Sequence, residues 1–245
     1  MSSQTGPLDL SGKKAMVVGA EFPPGAVIAR AFAQAGADVA LCALTADEAV
    51  MRARTVKRQI EAMGRTATEY VMDVALGKNV QVTTRQVAKE MGGLDIVASA
   101  AGVFLAKPIE ETSDTELARV MQVNFASQFF IVRTAAGEFR RDRRPGCILL
   151  VTGAAGERPV PHTAAYASAH GAVHSLVRSA AEELAPEGIA VNAISLGWPA
   201  WADGVVEPPG AEAIGVAAVE LCAPPTPSSS TGRIILVDGG SSPPP

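Results

Sequence analysis

A phenol and an imidazole stand four residues apart in Tyr166-Ala167-Ser168-Ala169-His170. The chemistry open to such a pair is proton transfer. A tyrosine with an ordinary pKa near ~10 keeps its proton at neutral pH, and a histidine near ~6.5 is mostly uncharged there. With no fixed positive neighbour, the pair is a weak general acid–base unit at pH 7. Thirteen residues before Tyr166 stands Gly153, which offers no hydroxyl. Asn124 falls inside a long helical stretch, where its amide is expected to bond to nearby main chain and stabilise a kink. His162 and His174 read as surface or interface residues.

A second constellation could hold phosphate. Val18-Gly19-Ala20-Glu21-Phe22-Pro23-Pro24-Gly25 follows a short apolar run and leads into a helical one. Glycines at such a junction let backbone approach an anion, and N–H groups at the helix N-terminus bind it. Pro23 and Pro24 have no N–H to give. Glu21 adds a negative charge where phosphates would sit. Proline is preorganised for a first helical turn, so this loop can start a helix but makes a poor phosphate site.

The elements that must position these residues alternate along the chain. Strand-like segments are expected at Lys14–Ala20, Asp38–Leu44, Ala67–Met72, Leu94–Ala100, Cys147–Thr152, Ile189–Ser195 and Arg233–Val237. Helical segments are expected at Val27–Gln34, Asp47–Met63, Asn79–Met91, Asp114–Arg140, Ala165–Leu184 and Ala211–Cys222. Such alternation implies parallel strands joined by right-handed crossovers. The expected fold is an α/β, single-domain, Rossmann-type doubly wound sheet of about seven parallel strands flanked by helices. One domain over residues 1–245 is expected, with loose tails at 1–7 and 241–245.

Composition narrows the function. Mean hydropathy is +0.20 and 48% of residues are apolar, as a buried parallel sheet requires. The net charge of −4, with no Lys/Arg block, argues against nucleic acid as a partner. No apolar run is long enough to span a bilayer. Met1–Pro7 lacks an apolar signal segment, which points to the cytoplasm. Cys42, Cys147 and Cys222 are widely separated without metal-ligand spacing, and read as buried thiols.

From about Leu10 to Gly240 the chain resembles the short-chain dehydrogenase/reductase family. The resemblance rests on Ala29-Arg30-Ala31-Phe32-Ala33-Gln34-Ala35-Gly36-Ala37, Asp73-Val74, Val123-Asn124-Phe125, Ala165-Tyr166, Gly188-Ile189-Ala190-Val191-Asn192 and Thr231-Gly232 with Val237-Asp238-Gly239-Gly240. It implies NAD or NADP as cofactor and a catalytic Ser, Tyr and Lys with a supporting Asn. Tyr166 and Asn124 match that set. Gly153 and His170 replace the serine and the lysine. For the cofactor, Gly19, Gly25, Asp73 and Gly102 match. Pro23 replaces the middle glycine, and Cys42-Ala43-Leu44-Thr45 lacks the ribose-binding acid or phosphate-reading base that should end the second strand. Ser99-Ala100-Ala101-Gly102 replaces Asn-Asn-Ala-Gly. Asp73 fits the family's adenine contact and equally a helix N-cap. The stretch Leu196–Gly204 reaches Pro209-Gly210 with most of the family's substrate-covering segment gone. Trp198 and Trp201 either fill that space or present an aromatic contact.

The resemblance also implies that Asp114–Arg140 and Ala165–Leu184 pair across subunits. The expectation is therefore a catalytically silent subunit that binds no cofactor or metal itself. It would assemble, as a hetero-oligomer and in all expectation a tetramer, with an active NAD(P)-dependent paralogue. One such setting is a 3-hydroxyacyl-CoA type dehydrogenase, as in toluene and benzylsuccinate degradation. The alternatives are a repurposed, nicotinamide-independent enzyme using Tyr166 and His170, and a weakly active NAD(P)-dependent oxidoreductase.

Overall fold

A computed structural model describes residues 8–158, 160–197, 208, 210–223 and 231–239. Seven parallel strands form one sheet in the order β3-β2-β1-β4-β5-β6-β7. In chain order these are β1 (Lys14–Val18), β2 (Asp38–Ala43), β3 (Ala67–Val71), β4 (Ile96–Ser99), β5 (Gly146–Gly153), β6 (Ile189–Leu196) and β7 (Ile234–Val237). The helices are α1 (Pro23–Gln34), α2 (Glu48–Ala62), α3 (Gly77–Met91), α4 (Asp114–Met121), α5 (Ser127–Asp142), α6 (Ala164–Leu184) and α7 (Ala211–Cys222).

Alternation within each strand sends side chains into two separate cores. Ala15 and Val17 of β1 join the layer beneath α1, α2 and α7. Met16 and Val18 join the layer beneath α3, α5 and α6. With both faces covered, the central strands can be apolar throughout, and all eight residues of β5 and of β6 are buried. The chain reverses winding direction between β1 and β4, which pair directly. A crevice outside the carboxyl ends of strands at such a switch point is where this architecture places ligands.

The expected elements are present with ends shifted by a few residues. α1 starts at Pro23, so both prolines lie in its first turn, as their fixed φ favours. The expected single helix Asp114–Arg140 is divided: α4 and α5 flank a π-helical turn at Gln122–Ala126. A Ser113–Glu116 capping box starts α4.

Two further expectations need correction. His174 is not at the surface but buried, because α6 turns that face toward β5. Asp73 does not cap α3, whose N-cap is Leu76; its Oδ1 accepts from Ala75 N at 2.9 Å in a turn before the helix. The cysteines are buried free thiols as expected, and Cys147 and Cys222, distant in sequence, have sulfurs 3.0 Å apart. On α6, Ala169, Val173, Val177 and Ala180 are core residues, whereas Ala172 and Leu176 are half-buried. Trp198, Trp201, the span 198–207 and Gly240 lie outside the described residues.

Candidate active site

Strand β5 ends in Thr152-Gly153, and α6 brings Tyr166, His170 and His174 against it. Tyr166 is 3% exposed. Its ring meets Phe104 edge-on, with centroids 5.2 Å apart, and His170 at 4.2 Å. A Cβ on Gly153 would lie 2.8 Å from the Tyr166 hydroxyl oxygen. Residue 153 is glycine for this close approach, since its φ of −107° is open to any residue. The phenol fills the space that a side chain at 153 would need.

His170 is held as a neutral acceptor. The Gly153 N–H donates to its Nδ1 at 3.1 Å, which assigns the ring proton to Nε2. Thr152 Oγ1 lies 2.9 Å from the same Nδ1 and 3.3 Å from His174 Nε2. Burial, reinforced by the nearby His174, brings the His170 pKa down to about 3. Burial also pushes the Tyr166 hydroxyl well above its ordinary range and lowers His174, against the pull of Glu157. Glu157 Oε1 is 3.3 Å from His174 Nδ1 and 3.4 Å from Arg178. Thr152 therefore bridges His170 and His174, while Tyr166 meets His170 by ring contact alone, and His170 Nε2 and His174 Nδ1 are buried without hydrogen-bond partners among the described residues. The His170–His174 spacing was visible in the sequence; the part played by Thr152 and Phe104 was not.

Asn124 sits in the π turn, but its amide serves another task than the expected local one. Oδ1 accepts from Val103 N at 2.7 Å, and Nδ2 donates to Val103 O at 2.9 Å. It therefore clamps the chain leaving β4, twenty-one residues away. Gln128 Nε2 adds a bond to Ala101 O at 3.0 Å. Buried Gly102 is held between these two anchors.

At the switch point Gly19, Gly25 and the turn after β4 converge. Gly19 has φ +76°, and a Cβ there would lie 2.9 Å from backbone atoms of Ala100 and Ala101. A Cβ on Gly25 would come within 2.1 Å of the Gly19 carbonyl oxygen. Both glycines are thus required by the packing of the loop itself. Asp73 lies apart from them, exposed at the end of β3.

The loop is also tied to β2. Gly19 N and Ala20 N donate to Cys42 O at 2.9 and 3.3 Å, and Phe22 N donates to Gly19 O at 3.1 Å. Glu21 turns inward, and its Oε1 accepts from Leu44 N at 2.9 Å. Its Oε2 is buried without a hydrogen-bond partner. Burial raises the Glu21 pKa, opposed by the Leu44 N–H and Arg52. No sequence signal located this bond; only the charge of Glu21 was apparent.

This architecture and site define a dinucleotide-fold oxidoreductase lineage. Residues 13–200 match the short chain dehydrogenase family, and the chain belongs to it. It is similar to a hydroxynaphthalene reductase of Aspergillus fumigatus, 32% identical over 77% of this chain and 67% of that protein. A 3beta-hydroxysteroid dehydrogenase of Eggerthella lenta is 33% identical over 77% of this chain and 71% of that protein. Among solved structures, a short-chain type dehydrogenase/reductase from Mycobacterium marinum superposes with a TM-score of 0.85 at 27% identity, covering 97% of this chain and 98% of its own. Members of this family usually use NAD(P). Among the described residues, no helix is long and apolar enough to cross a membrane, and no cluster of three or more His, Cys, Asp or Glu could hold a metal.

Proposed function

We propose that this chain is a catalytically silent member of its oxidoreductase family, a structural subunit that assembles with an active NAD(P)-dependent paralogue. The observation that carries the reading is the filled site at β5: the Tyr166 hydroxyl occupies the space at Gly153. Its neighbour His170 is a buried neutral acceptor, not a fixed cation. A phenol raised by burial, with no cation to stabilise its anion, is a poor proton donor and acceptor near pH 7.

The switch-point cleft supports the same reading. Family use of NAD(P) would require loop N–H groups free to meet a pyrophosphate. The donors at Gly19, Ala20 and Phe22 are taken by backbone carbonyls, and Pro23 and Pro24 have none. The buried Glu21 carboxylate would repel an anion. These residues do not fit a dinucleotide. The helices expected to pair between subunits are retained as α4, α5 and α6, which favours assembly as the surviving role. A 3-hydroxyacyl-CoA type dehydrogenase is proposed as the partner on family resemblance alone.

The test is to purify the chain alone and co-expressed with the short-chain dehydrogenases encoded beside it. The expected result is a stoichiometric hetero-oligomer whose turnover is unchanged by Tyr166→Phe in this chain. A homo-oligomer that ignores those partners and oxidises or reduces substrate with NAD(P) would overturn the proposal.

One observation favours a second reading, a nicotinamide-independent enzyme using Tyr166 and His170. Thr152 bridges His170 and His174, and the His170 ring packs against the Tyr166 phenol, so a linked pair of imidazoles lies beside the hydroxyl. Loss of activity in Tyr166→Phe, with no cofactor bound, would select it.

A further inference from the structure

We propose that Glu21 is an internal occupant of the cleft at the head of β1 and β2, standing in place of a nucleotide anion, and that it is the main determinant excluding adenine nucleotides from this chain. The inference rests on the cofactor-free reading above and names the residue responsible.

Three facts converge on it. First, position: Glu21 immediately precedes Phe22, the N-cap of α1. The positive end of a helix dipole favours an anion there, which is why phosphates bind at this point in doubly wound folds. Here the residue at that point carries its own carboxylate, which is bonded at the end of β2 and not to the N–H groups of α1.

Second, bonding. The carboxylate crosses to the end of β2 and takes the Leu44 N–H at 2.9 Å. In this architecture the end of the second strand is where a nucleotide ribose is held. With Gly19 and Ala20 both donating to Cys42 O, three bonds draw the loop against β2.

Third, incompleteness. Glu21 is only 7% exposed, and its second oxygen, Oε2, is buried and unpartnered. A buried charged group left half-satisfied is unfavourable for a fold that could do without it. Pro23 and Pro24 complement it by removing two donors that would otherwise attract an external anion. The contribution of Glu21 is separable from theirs, because like charge excludes a phosphate at a distance whereas a missing donor merely fails to bind one.

The experiment uses the full chain and ADP as probe, which carries the adenosine and pyrophosphate without the nicotinamide. Binding is measured by calorimetry for the wild type, Glu21→Ala and Glu21→Gln, with thermal denaturation as the folding check. The expected result is no saturable binding by the wild type, binding at least roughly tenfold tighter by Glu21→Ala, and an intermediate gain for Glu21→Gln, which loses the charge and keeps the bulk. If both variants fold and bind no better than the wild type, this inference fails, exclusion falls to the prolines, and the cofactor-free reading stands. If Glu21→Ala does not fold, an unimproved Glu21→Gln alone overturns the inference. If the wild type itself binds ADP and NADH saturably, both readings fall.

Discussion

At the carboxyl ends of β1 and β2 the chain turns a carboxylate inward, whereas at the end of β5 it turns inward a phenol and two imidazoles. Both places are ligand-facing in a doubly wound sheet, and at both a side chain of the chain's own is turned inward. The first holds a carboxylate on the Leu44 N–H beside glycines limited by backbone contacts. The second is filled by neutral side chains that lean on a missing Cβ. The first closure is thus written into main-chain geometry, and the second into side chains that can move. Under the proposal above, one lineage vacates its two subsites by unrelated means, and the two should respond oppositely to mutation and to pH.

The largest difference is expected for the glycines. Gly25→Ala drives a Cβ to 2.1 Å from the Gly19 carbonyl oxygen, a backbone clash nothing nearby can relieve. Urea unfolding should show a loss upwards of about 3 kcal/mol, or no folded protein. Gly153→Ala meets the end of the Tyr166 side chain, with the hydroxyl oxygen at 2.8 Å and ring carbons Cε1 and Cζ at 3.1 and 3.2 Å. It should lose about 1–2 kcal/mol, and a double-mutant cycle with Tyr166→Phe, which removes the nearest atom and leaves the ring, should recover part of that loss. Absence of coupling would contradict the packing described at β5.

Next comes Asn124→Ala, which removes both bonds to Val103 and leaves its half-buried N–H and C=O without those partners. A destabilisation of about 1–3 kcal/mol is expected, with faster hydrogen exchange in the segment after β4. If Asn124→Ala were neutral, the clamp would have no energetic meaning.

The pH dependence separates the two regions by sign. His170 and His174 titrate lower folded than unfolded, so the folded state binds fewer protons. Their contribution is intact above the unfolded value near ~6.5, and for His170 it is lost as pH falls from there toward about 3. Glu21 titrates higher folded than unfolded. Its destabilising effect is therefore absent at low pH and grows as pH rises from the ordinary carboxylate range through its raised value. Each group can contribute at most roughly 1.4 kcal/mol per pH unit. Denaturation midpoints across pH should show His170→Gln flattening the acid limb, and Glu21→Gln flattening the loss on the rising side. The same sign for both would break the contrast.

The smallest effect belongs to the rim. Arg178→Ala breaks an exposed pair with Glu157 at 3.4 Å and should change stability by less than about 0.5 kcal/mol.

Much of the scaffold was legible because it depends on short-range pattern. The apolar runs of β1, β5 and β6 and the prolines opening α1 specify their elements locally. The division of Asp114–Arg140 was not legible, since a π turn changes hydrogen-bond register while leaving apolar periodicity nearly intact. Asn124 was expected to bond to nearby main chain, yet its partner Val103 is distant in sequence and no local rule could supply it. His174 was misplaced because a histidine beside Ser175 on a helix reads as solvent-facing until β5 is known to lie beneath it. The Glu21–Leu44 bond and the Cys147–Cys222 contact join elements that meet only once the sheet order is set.

The central claim is that this chain has closed its nucleotide cleft. Its most direct test is a titration of the purified wild-type chain with NADH and NADPH, followed by calorimetry and by nicotinamide fluorescence. The account predicts no saturable signal up to millimolar cofactor. Saturable binding of either nucleotide in the micromolar range would contradict it.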